Sequence, residues 1–382
     1  MKKFVLFLSS LALTVGTAFT ARVAHAEELT VSSKSAYLMD YHSGTVLYEK
    51  NATTHLPIAS MCKIMTLLLC MEEIDAGNLS VDDTVKVSHH ASSMGGSQVY
   101  IEEGAEYTVG RLLESIVVAS ANDSCVAMAE TIAGSEELFV DRMNTRAKEL
   151  NANDTLFSNC TGLPRETQYS CAKDVAYMMQ ALLAHPLYFE YSKIRNDNFP
   201  HPGDRVTQMT NTNKLLRTYE GCDSGKTGFT NQAGFCLAAS AKRGNMRMIS
   251  VTIGSDSSAE RFDSHKTLLN YAFANYTNKV IADHTVPLSD KLSVLGGKET
   301  AISVKTKEDV FSFGKKNEKE EITSELNCGK IKAPVYEGDE IGSITYYKNN
   351  VELKTVPLIA SETVERASVW DYYKTIAENW SY

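Results

Sequence analysis

The sequence has little proline or tryptophan and lacks several common motifs of enzymes and metal sites. Its 382 residues include 8 Pro and 2 Trp, and none of the 8 Cys form a C-x-x-C pair. This composition excludes a collagen-like or low-complexity chain, and the cysteine spacing gives no support to the usual zinc or dithiol motifs. G-x-S-x-G and H-E-x-x-H are also absent, which argues against an α/β-hydrolase and a zinc peptidase.

Basic charge is scarce as well. The chain has 38 Lys and Arg against 47 Asp and Glu, a formal net charge of -9. Three of the basic residues, Lys2, Lys3 and Arg22, lie in the first 26 residues, which contain no acid. An acidic chain repels phosphate backbones, so the composition predicts no nucleic-acid partner and indicates an ordinary solvated acidic surface.

Long apolar runs are missing except near the start. A basic opening is followed by an apolar run from Phe4 to Ala18, and Ala24-His25-Ala26 is typical of a signal-peptidase site. Residues 1–26 are therefore predicted to be a signal peptide of an exported protein, with an uncleaved anchor as the alternative. No later run approaches the roughly 20 apolar residues that a membrane span needs.

Eight cysteines are unusual in an exported chain. Cys62 and Cys70 fall in one predicted helix, about 12 Å apart along its axis, which is too far for a disulfide. The eight residues are compatible with buried free thiols that pack as small apolar side chains. A disulfide such as Cys160–Cys171 is the other interpretation, and the sequence leaves both open.

The residue patterns change near residue 280. Before that point, they predict strands at both ends of the segment with helices between them, hence a sheet covered by helices. The segments are a hairpin over 35–49, helices over 59–75, 108–133, 136–151, 172–184 and 259–277, and a strand pair over 234–254. After it, short strands separated by Gly, Asn and charged residues predict a small all-β domain over 280–367. The domain over 27–279 is thus predicted to be α/β.

The last segment, 368–382, is predicted to be an amphipathic helix. Val369, Trp370, Tyr373 and Ile376 fall near one helical face. Such an aromatic face is typical of a helix that lies on a membrane surface, although the segment carries few basic residues. Packing of this face on the helix's own domain is the alternative.

The first candidate for chemistry is Ser60-Met-Cys-Lys63, which opens a helix that is apolar on nearly every side. Ser60 and Lys63 are spaced i and i+3 and so share a helix face. Burial disfavours the charged form of a lysine, and a neutral amine beside a serine hydroxyl is a general base beside a nucleophile. The pattern S-x-x-K is common by chance, so it carries little weight by itself.

Two further motifs give it weight. Ser120-Ala-Asn122 lies in a helix-rich stretch, and Lys226-Thr-Gly228 precedes the predicted strand pair. Glycine allows a ligand to approach a strand edge, while Lys and Thr supply a cation and a hydroxyl. S-x-x-K, a serine triplet ending in Asn, and K-T-G, in this order, are the motifs of penicillin-recognising serine enzymes.

On these motifs, the chain resembles the low-molecular-mass penicillin-binding proteins, which are serine-type D-alanyl-D-alanine carboxypeptidases. The resemblance runs from about Ser35 to Phe273 and more loosely into the β-rich part. It implies a transpeptidase/β-lactamase-like domain followed by a β domain. It also implies a peptidoglycan stem peptide ending in D-Ala-D-Ala as substrate, inhibition by β-lactams, an extracytoplasmic location at the cell wall or the outer face of the cytoplasmic membrane, and no metal or cofactor.

The resemblance implies roles for the residues of the first two motifs. Ser60 would attack the carbonyl carbon between the two D-alanines, and Lys63 would take its proton. Ser120 would relay a proton to the leaving amine, and Asn122 would hold the substrate amide.

The remaining implied roles concern substrate binding. Lys226, Thr227 and Gly228 would line the side of the terminal carboxylate. Arg261, which stands before the helical segment Lys266-Thr-Leu-Leu-Asn-Tyr-Ala-Phe, would also bind that carboxylate, because a guanidinium can donate two parallel hydrogen bonds to it. The backbone N–H groups of Ser60 and Phe229 would hold the oxyanion.

Some features depart from the family pattern. Cys62 between nucleophile and base is unusual, and Thr161-Gly162 stands where relatives carry His before the Gly-Leu. A class A β-lactamase is the nearest alternative, but its deacylating glutamate motif is not matched. A non-catalytic wall-binding sensor is the alternative from another class, and the complete motif set argues against it.

Overall fold

The computed structural model describes residues 29–379, so the predicted signal peptide lies outside the described residues. The helices in chain order are α1 (Lys63–Asp75), α2 (His89–Ser92), α3 (Val109–Val118), α4 (Asn122–Ala133), α5 (Glu136–Glu149), α6 (Ala172–Leu182), α7 (Pro186–Ser192), α8 (Leu215–Thr218), α9 (Ser258–Asn275) and α10 (Val369–Asn379). The strands are β1 (Ser35–Asp40), β2 (Val46–Lys50), β3 (Thr84–Lys86), β4 (Glu106–Thr108), β5 (Asn196–Pro200), β6 (Val206–Thr210), β7 (Cys222–Thr230), β8 (Gly234–Arg243), β9 (Met246–Ser255), β10 (Tyr276–Ala282), β11 (Leu292–Leu295), β12 (Ala301–Ile302), β13 (Val304–Thr306), β14 (Val310–Lys315), β15 (Ile322–Asn327), β16 (Ile331–Lys332), β17 (Glu340–Lys348) and β18 (Val351–Ala360).

An antiparallel sheet of order β2-β1-β9-β8-β7 forms the framework of the α/β part. Its central strand β9 is buried along its whole length. Ile249 and Val251 face the core that the N-terminal helices share. The alternating residues Ser250 and Thr252 face α9, where both hydroxyls hydrogen-bond to the ring of His265. The sheet is therefore covered on both faces, as the predicted strand–helix–strand order requires.

Helix α1 runs through the middle of this core. Every residue from Lys63 to Met71 is buried, because the sequence is apolar around the whole helix rather than along one stripe. A helix in this position holds the residues at its start in a fixed place beside the edge strand β7.

Two of the predicted elements differ from the structure. The stretch 108–133 is not one helix, because α3 ends at Val118 and α4 begins at Asn122. Between them Ser120 has φ +63°, a left-handed conformation that no helix can accommodate. Apolar periodicity continues across this break, which is why the sequence pattern missed it. Lys226-Thr-Gly228 precedes the strand pair β8–β9, as predicted, but it lies inside a further strand, β7, that the sequence patterns did not predict.

The C-terminal part is β-rich, as predicted. It contains a four-stranded sheet of order β13-β18-β17-β15, a three-stranded sheet of order β12-β11-β16 and the pair β10-β14. A separate apolar core includes Ile302, Val304, Val356 and Leu358. The change from helices to strands occurs at β10, which crosses the predicted boundary between 279 and 280.

All eight cysteines lie within the described residues and are free thiols. Six of them are buried, in agreement with the interpretation that they pack as small apolar side chains. In residues 29–379, no helix has both the length and the apolar character that a membrane crossing requires.

An ion pair between a buried arginine and a partly buried aspartate ties the start of β7 to the central strand. Arg247 donates from both terminal nitrogens to the carboxylate of Asp223, at 2.8 Å each, and a third bond of 2.8 Å reaches Ser240 Oγ. The guanidinium also lies 4.6 Å from the ring centroid of Phe189. Since β7 carries Lys226-Thr-Gly228, this pair helps to fix the position of that motif.

We expect Asp223→Asn to lower the free energy of unfolding by about 3 kcal/mol, because Arg247 would remain buried without its counter-charge. The double variant Asp223→Asn, Arg247→Met should lose less than the two single losses added together. Equilibrium unfolding in urea of the four proteins measures this coupling. Additivity of the single losses to within about 0.5 kcal/mol would contradict it.

Candidate active site

Ser60 lies in a 3₁₀ turn, Ala59–Cys62, that leads directly into α1. Because side chains at i and i+3 eclipse each other in a 3₁₀ turn, Lys63 at the start of α1 lies beside Ser60. The Lys63 Nζ to Ser60 Oγ distance is 3.0 Å. The predicted nucleophile and base are therefore in hydrogen-bond contact, although the first turn is tighter than the predicted helix.

The amine of Lys63 is fully buried and lies among acceptors from three chain segments. Besides Ser60 Oγ, Lys63 Nζ contacts Asn122 Oδ1 at 2.6 Å and the carbonyl oxygen of Thr161 at 2.5 Å. The three oxygens match the three N–H bonds of a lysine amine in its charged form. Of these oxygens, Ser60 Oγ alone carries a hydrogen, so Ser60 is the neighbour with which Lys63 can exchange a proton.

Asn122 is held from both ends of its amide. Its Nδ2 donates to the carbonyl of Gly95 at 2.7 Å, while its backbone N–H donates to Ser97 O at 2.7 Å. The next residue, Asp123, accepts from the backbone N–H groups of Val99 and Ile101. The loop before Ile101 is thus fastened to the N-terminus of α4, beside Lys63.

Ser120 lies at the break between α3 and α4 and contacts the other predicted lysine. Lys226 Nζ donates to Ser120 Oγ at 2.7 Å and to the backbone carbonyl oxygen of the next residue, Thr227, at 3.3 Å. Ser120 is 4% exposed and Lys226 is 1% exposed. Burial and the positive charges of Lys63 and Arg261 hold the pKa of Lys226 well below its usual value. Its proton is therefore unusually easy to lose for a lysine.

The edge strand β7 presents the third motif. Thr227 Oγ1 donates to Thr212 Oγ1 at 2.7 Å. At Gly228, an added Cβ would lie 2.6 Å from Ile58 O and 3.1 Å from Ser60 N, so only glycine allows the strand to lie against the turn of Ser60. Phe229 is 52% exposed, and its ring lies 4.4 Å from that of Phe235.

A second glycine, Gly162 in the loop between α5 and α6, packs closely against the same turn. A Cβ on Gly162 would lie 2.0 Å from the carbonyl oxygen of Ala59, and its φ is +81°. Asn159 organises this loop, because its Oδ1 accepts from the N–H groups of Thr161 and Gly162 at 3.1 and 2.7 Å. The Thr161 hydroxyl also donates to Asn159 Oδ1 at 3.1 Å, so its side chain holds the loop while its carbonyl contacts Lys63.

Arg261 lies behind β7 and is 7% exposed. Its guanidinium donates to the carbonyls of Gly228 and Cys236 at 3.4 and 3.3 Å, and its Nε has no hydrogen-bond partner in the described part of the chain. Burial lowers its pKa to about 10, so it remains charged at neutral pH. The structure therefore brings it to the backbone of the predicted carboxylate-binding motif.

Cys62 points away from the reacting groups. It is fully buried, its thiol donates to Asn159 O at 3.3 Å, and burial raises its pKa. This environment suits a space-filling thiol and not a reactive one.

The sequence patterns missed Thr161, Thr212 and the loop around Gly95. Thr161 and Gly95 act through their backbone carbonyls, and a backbone carbonyl leaves no signal in the sequence because every residue has one. Thr212 lies outside any motif, and only its contact with Thr227 marks it.

Comparison with known proteins identifies the family. The family model for D-alanyl-D-alanine carboxypeptidase matches residues 21–257, and the model for the penicillin-binding protein 5 C-terminal domain matches residues 276–366. D-alanyl-D-alanine carboxypeptidase DacF of Bacillus subtilis is 40% identical over 359 residues, which are 93% of this chain and 91% of the relative. DacC of Escherichia coli is 32% identical over 393 residues, 96% of each chain.

The same similarity extends to solved structures. A peptidoglycan synthesis regulatory factor (PBP3) from Streptococcus pneumoniae superposes with a TM-score of 0.72 at 26% identity, covering 87% of this chain and 99% of the other. The structure gathers the three motifs around one buried lysine, and its α/β domain is followed by a β domain. Both family models also match. This chain therefore belongs to the D-alanyl-D-alanine carboxypeptidase family, peptidase S11.

Proposed function

We propose that Ser60 is the nucleophile and Lys63 the general base of a serine-type D-alanyl-D-alanine carboxypeptidase, the activity of this family. The observation that carries the proposal is the Lys63 amine, buried 3.0 Å from Ser60 Oγ with its other hydrogen-bonding directions occupied. Lys63 accepts the hydroxyl proton as Ser60 Oγ bonds to the carbonyl carbon between the two D-alanines.

Ser120 and Lys226 serve the leaving group. As the C–N bond breaks, the departing amine needs a proton, and the Ser120 hydroxyl supplies it. The Ser120 Oγ then takes a proton from Lys226, whose lowered pKa favours the transfer. D-alanine leaves, and the rest of the peptide remains as an ester on Ser60. Water then attacks the ester carbonyl carbon, and one of its protons replaces the proton that Lys226 lost. Lys63 returns its proton to Ser60 Oγ as the acyl C–O bond breaks, which releases the shortened peptide and restores the hydroxyl.

Binding uses the edge of β7. The N–H groups of Ser60 and Phe229 stabilise the oxyanion, an assignment supported by the close approach of Gly228 to the turn of Ser60. The terminal carboxylate of the substrate binds near Lys226, Thr227 and Arg261. The positive charges of these lysine and arginine side chains in a buried setting favour an anionic group over a neutral one.

The substrate is a peptidoglycan stem peptide ending in D-Ala-D-Ala, and β-lactams acylate the same serine. We place the protein outside the cytoplasm, at the cell wall or the outer face of the cytoplasmic membrane. Membrane-surface contact is assigned to α10, whose apolar side chains are exposed: Trp370 is 81%, Tyr373 63% and Ile376 56% exposed. Exposed aromatic residues of this kind are favoured at the membrane interface.

The first test is the intact mass of residues 27–382 after mixing with benzylpenicillin. We expect a long-lived adduct of one drug mass, because the acyl-enzyme on Ser60 hydrolyses slowly. Ser60→Ala should remain unmodified. Release of D-alanine from a peptide ending in D-Ala-D-Ala then measures the reaction itself.

Two results would contradict the proposal. Rapid hydrolysis of the drug without an adduct would indicate a β-lactamase. Unmodified protein with intact drug would indicate a non-catalytic wall-binding protein.

A second prediction separates the hydroxyl of Ser120 from its backbone. Ser120→Ala and Ser120→Gly should both slow acylation by about 10²-fold, because both remove the proton relay. Glycine accepts φ +63°, so Ser120→Gly should be more stable than Ser120→Ala by about 1 kcal/mol. Acylation rates and urea unfolding of both variants measure this. Near wild-type acylation in Ser120→Gly would show that the residue contributes its backbone conformation alone.

A third prediction concerns α10. The double variant Trp370→Ser, Tyr373→Ser should reduce sedimentation with phosphatidylcholine–phosphatidylglycerol vesicles by at least about tenfold, since each buried aromatic side chain contributes about 1.5–3 kcal/mol. The control Tyr336→Ser removes an aromatic residue of similar exposure, 59%, from the β-rich part. Equal vesicle binding by the wild type and the double variant would refute membrane contact by this helix.

A further inference from the structure

Three potential metal ligands meet at the base of the loop between α5 and α6. One ligand atom each from Asp154, Cys171 and Asp174 lies within 4.8 Å of the others. Cys171 is 0% and Asp174 is 1% exposed, while the Asp154 side chain is 38% exposed. Two of these groups are thus inside the protein, and the third provides access from solvent.

The carboxylate of Asp174 has one oxygen occupied and one free. Its Oδ2 accepts from the backbone N–H of Asp154 at 2.7 Å and from Thr155 Oγ1 at 2.8 Å. Its Oδ1 is buried and has no hydrogen-bond partner among residues 29–379. A buried carboxylate oxygen without a partner is costly, and a cation at this point would remove the cost.

Each candidate ligand is also oriented by another group. His55 Nε2 lies 3.0 Å from Asp154 Oδ1, and its ring stacks on Tyr169 at 4.2 Å. The backbone N–H of Asp174 donates to Cys171 Sγ at 3.4 Å. Hydrogen bonds that hold the ligands in place are characteristic of protein metal sites.

The charges at this point are of one sign. Asp154 and Asp174 place two carboxylates beside the Cys171 thiol. The amine of the adjacent Lys173 lies over the ring of Tyr177, 5.6 Å from the centroid. A divalent cation would neutralise the carboxylates and stabilise the thiolate.

We propose that Asp154, Cys171 and Asp174 bind a zinc ion, with water as the fourth ligand. One thiolate and two carboxylates are within the ligand range of zinc. On binding, the S–H bond of Cys171 breaks, a Zn–S bond forms, and the proton passes to the buffer. No electron is transferred.

Zinc at this position would link the two ends of the loop 155–170. That loop carries Thr161, whose carbonyl contacts Lys63, and Gly162, which packs on the turn of Ser60. The ion lies outside the group of reacting side chains, so its role is to hold the loop and stabilise the folded chain. The site does not depend on the function proposed above.

Cobalt(II) provides the direct test, because a cobalt–thiolate bond absorbs in the near ultraviolet and a cobalt–carboxylate bond does not. Residues 27–382 titrated with Co²⁺ should show this sulfur-to-cobalt band at one equivalent, and Zn²⁺ should abolish it by displacement. Cys171→Ser should lose the band while remaining folded, since serine also caps a helix N-terminus.

Two further measurements use zinc itself. Zn²⁺ should raise the midpoint of thermal unfolding as free zinc increases, because it binds the folded state. Asp154→Asn, which alters the partly exposed ligand, should weaken Zn²⁺ at least about tenfold in competition with a chromophoric chelator.

Matched controls come from elsewhere in the chain. Cys222→Ser removes a thiol outside the site. His284→Ala disrupts the exposed cluster Asp283–His284–Asp309, whose members already hydrogen-bond to each other or to Thr285. Both controls should keep the cobalt band and the zinc affinity. Absence of the band in the wild type, or its persistence in Cys171→Ser, would overturn the proposal.

Discussion

The burial of one amine organises this protein. Lys63 carries a polar group into the most apolar part of the chain, where it must find partners or cost several kcal/mol. Its partners come from three places that are distant in sequence: the turn of Ser60, the start of α4 at Asn122 and the loop at Thr161. Satisfying this one group therefore assembles the site.

Close backbone contact is the second requirement, and glycine supplies it. Gly162, in the loop between α5 and α6, and Gly228, in β7, both approach the turn of Ser60 at distances that leave no room for a Cβ. The turn is thereby held between a loop and an edge strand.

Positive charge gathers at the site although the chain is acidic as a whole. Lys226 and Arg261 are buried together close to Lys63, and the burial and charge repulsion that lower the pKa of Lys226 are the cost of this arrangement. The benefit in the proposed mechanism is twofold, since the same potential attracts a carboxylate and makes a lysine proton easier to transfer. The net charge of the sequence gives no indication of this local concentration.

Part of the fold and of the site was predictable from the sequence, because those features depend on residues that are close together in the chain. Ser60 and Lys63 are i and i+3, so their contact follows from a single helical turn, and the strand and helix periods that define the α/β and β-rich parts are local as well. The left-handed Ser120, its bond to Lys226, the carbonyl of Thr161 on Lys63 and the meeting of Asp154 with Asp174 were decided only by the tertiary structure. Every residue has a carbonyl and most can adopt a turn, so no local pattern distinguishes the ones that long-range packing selects.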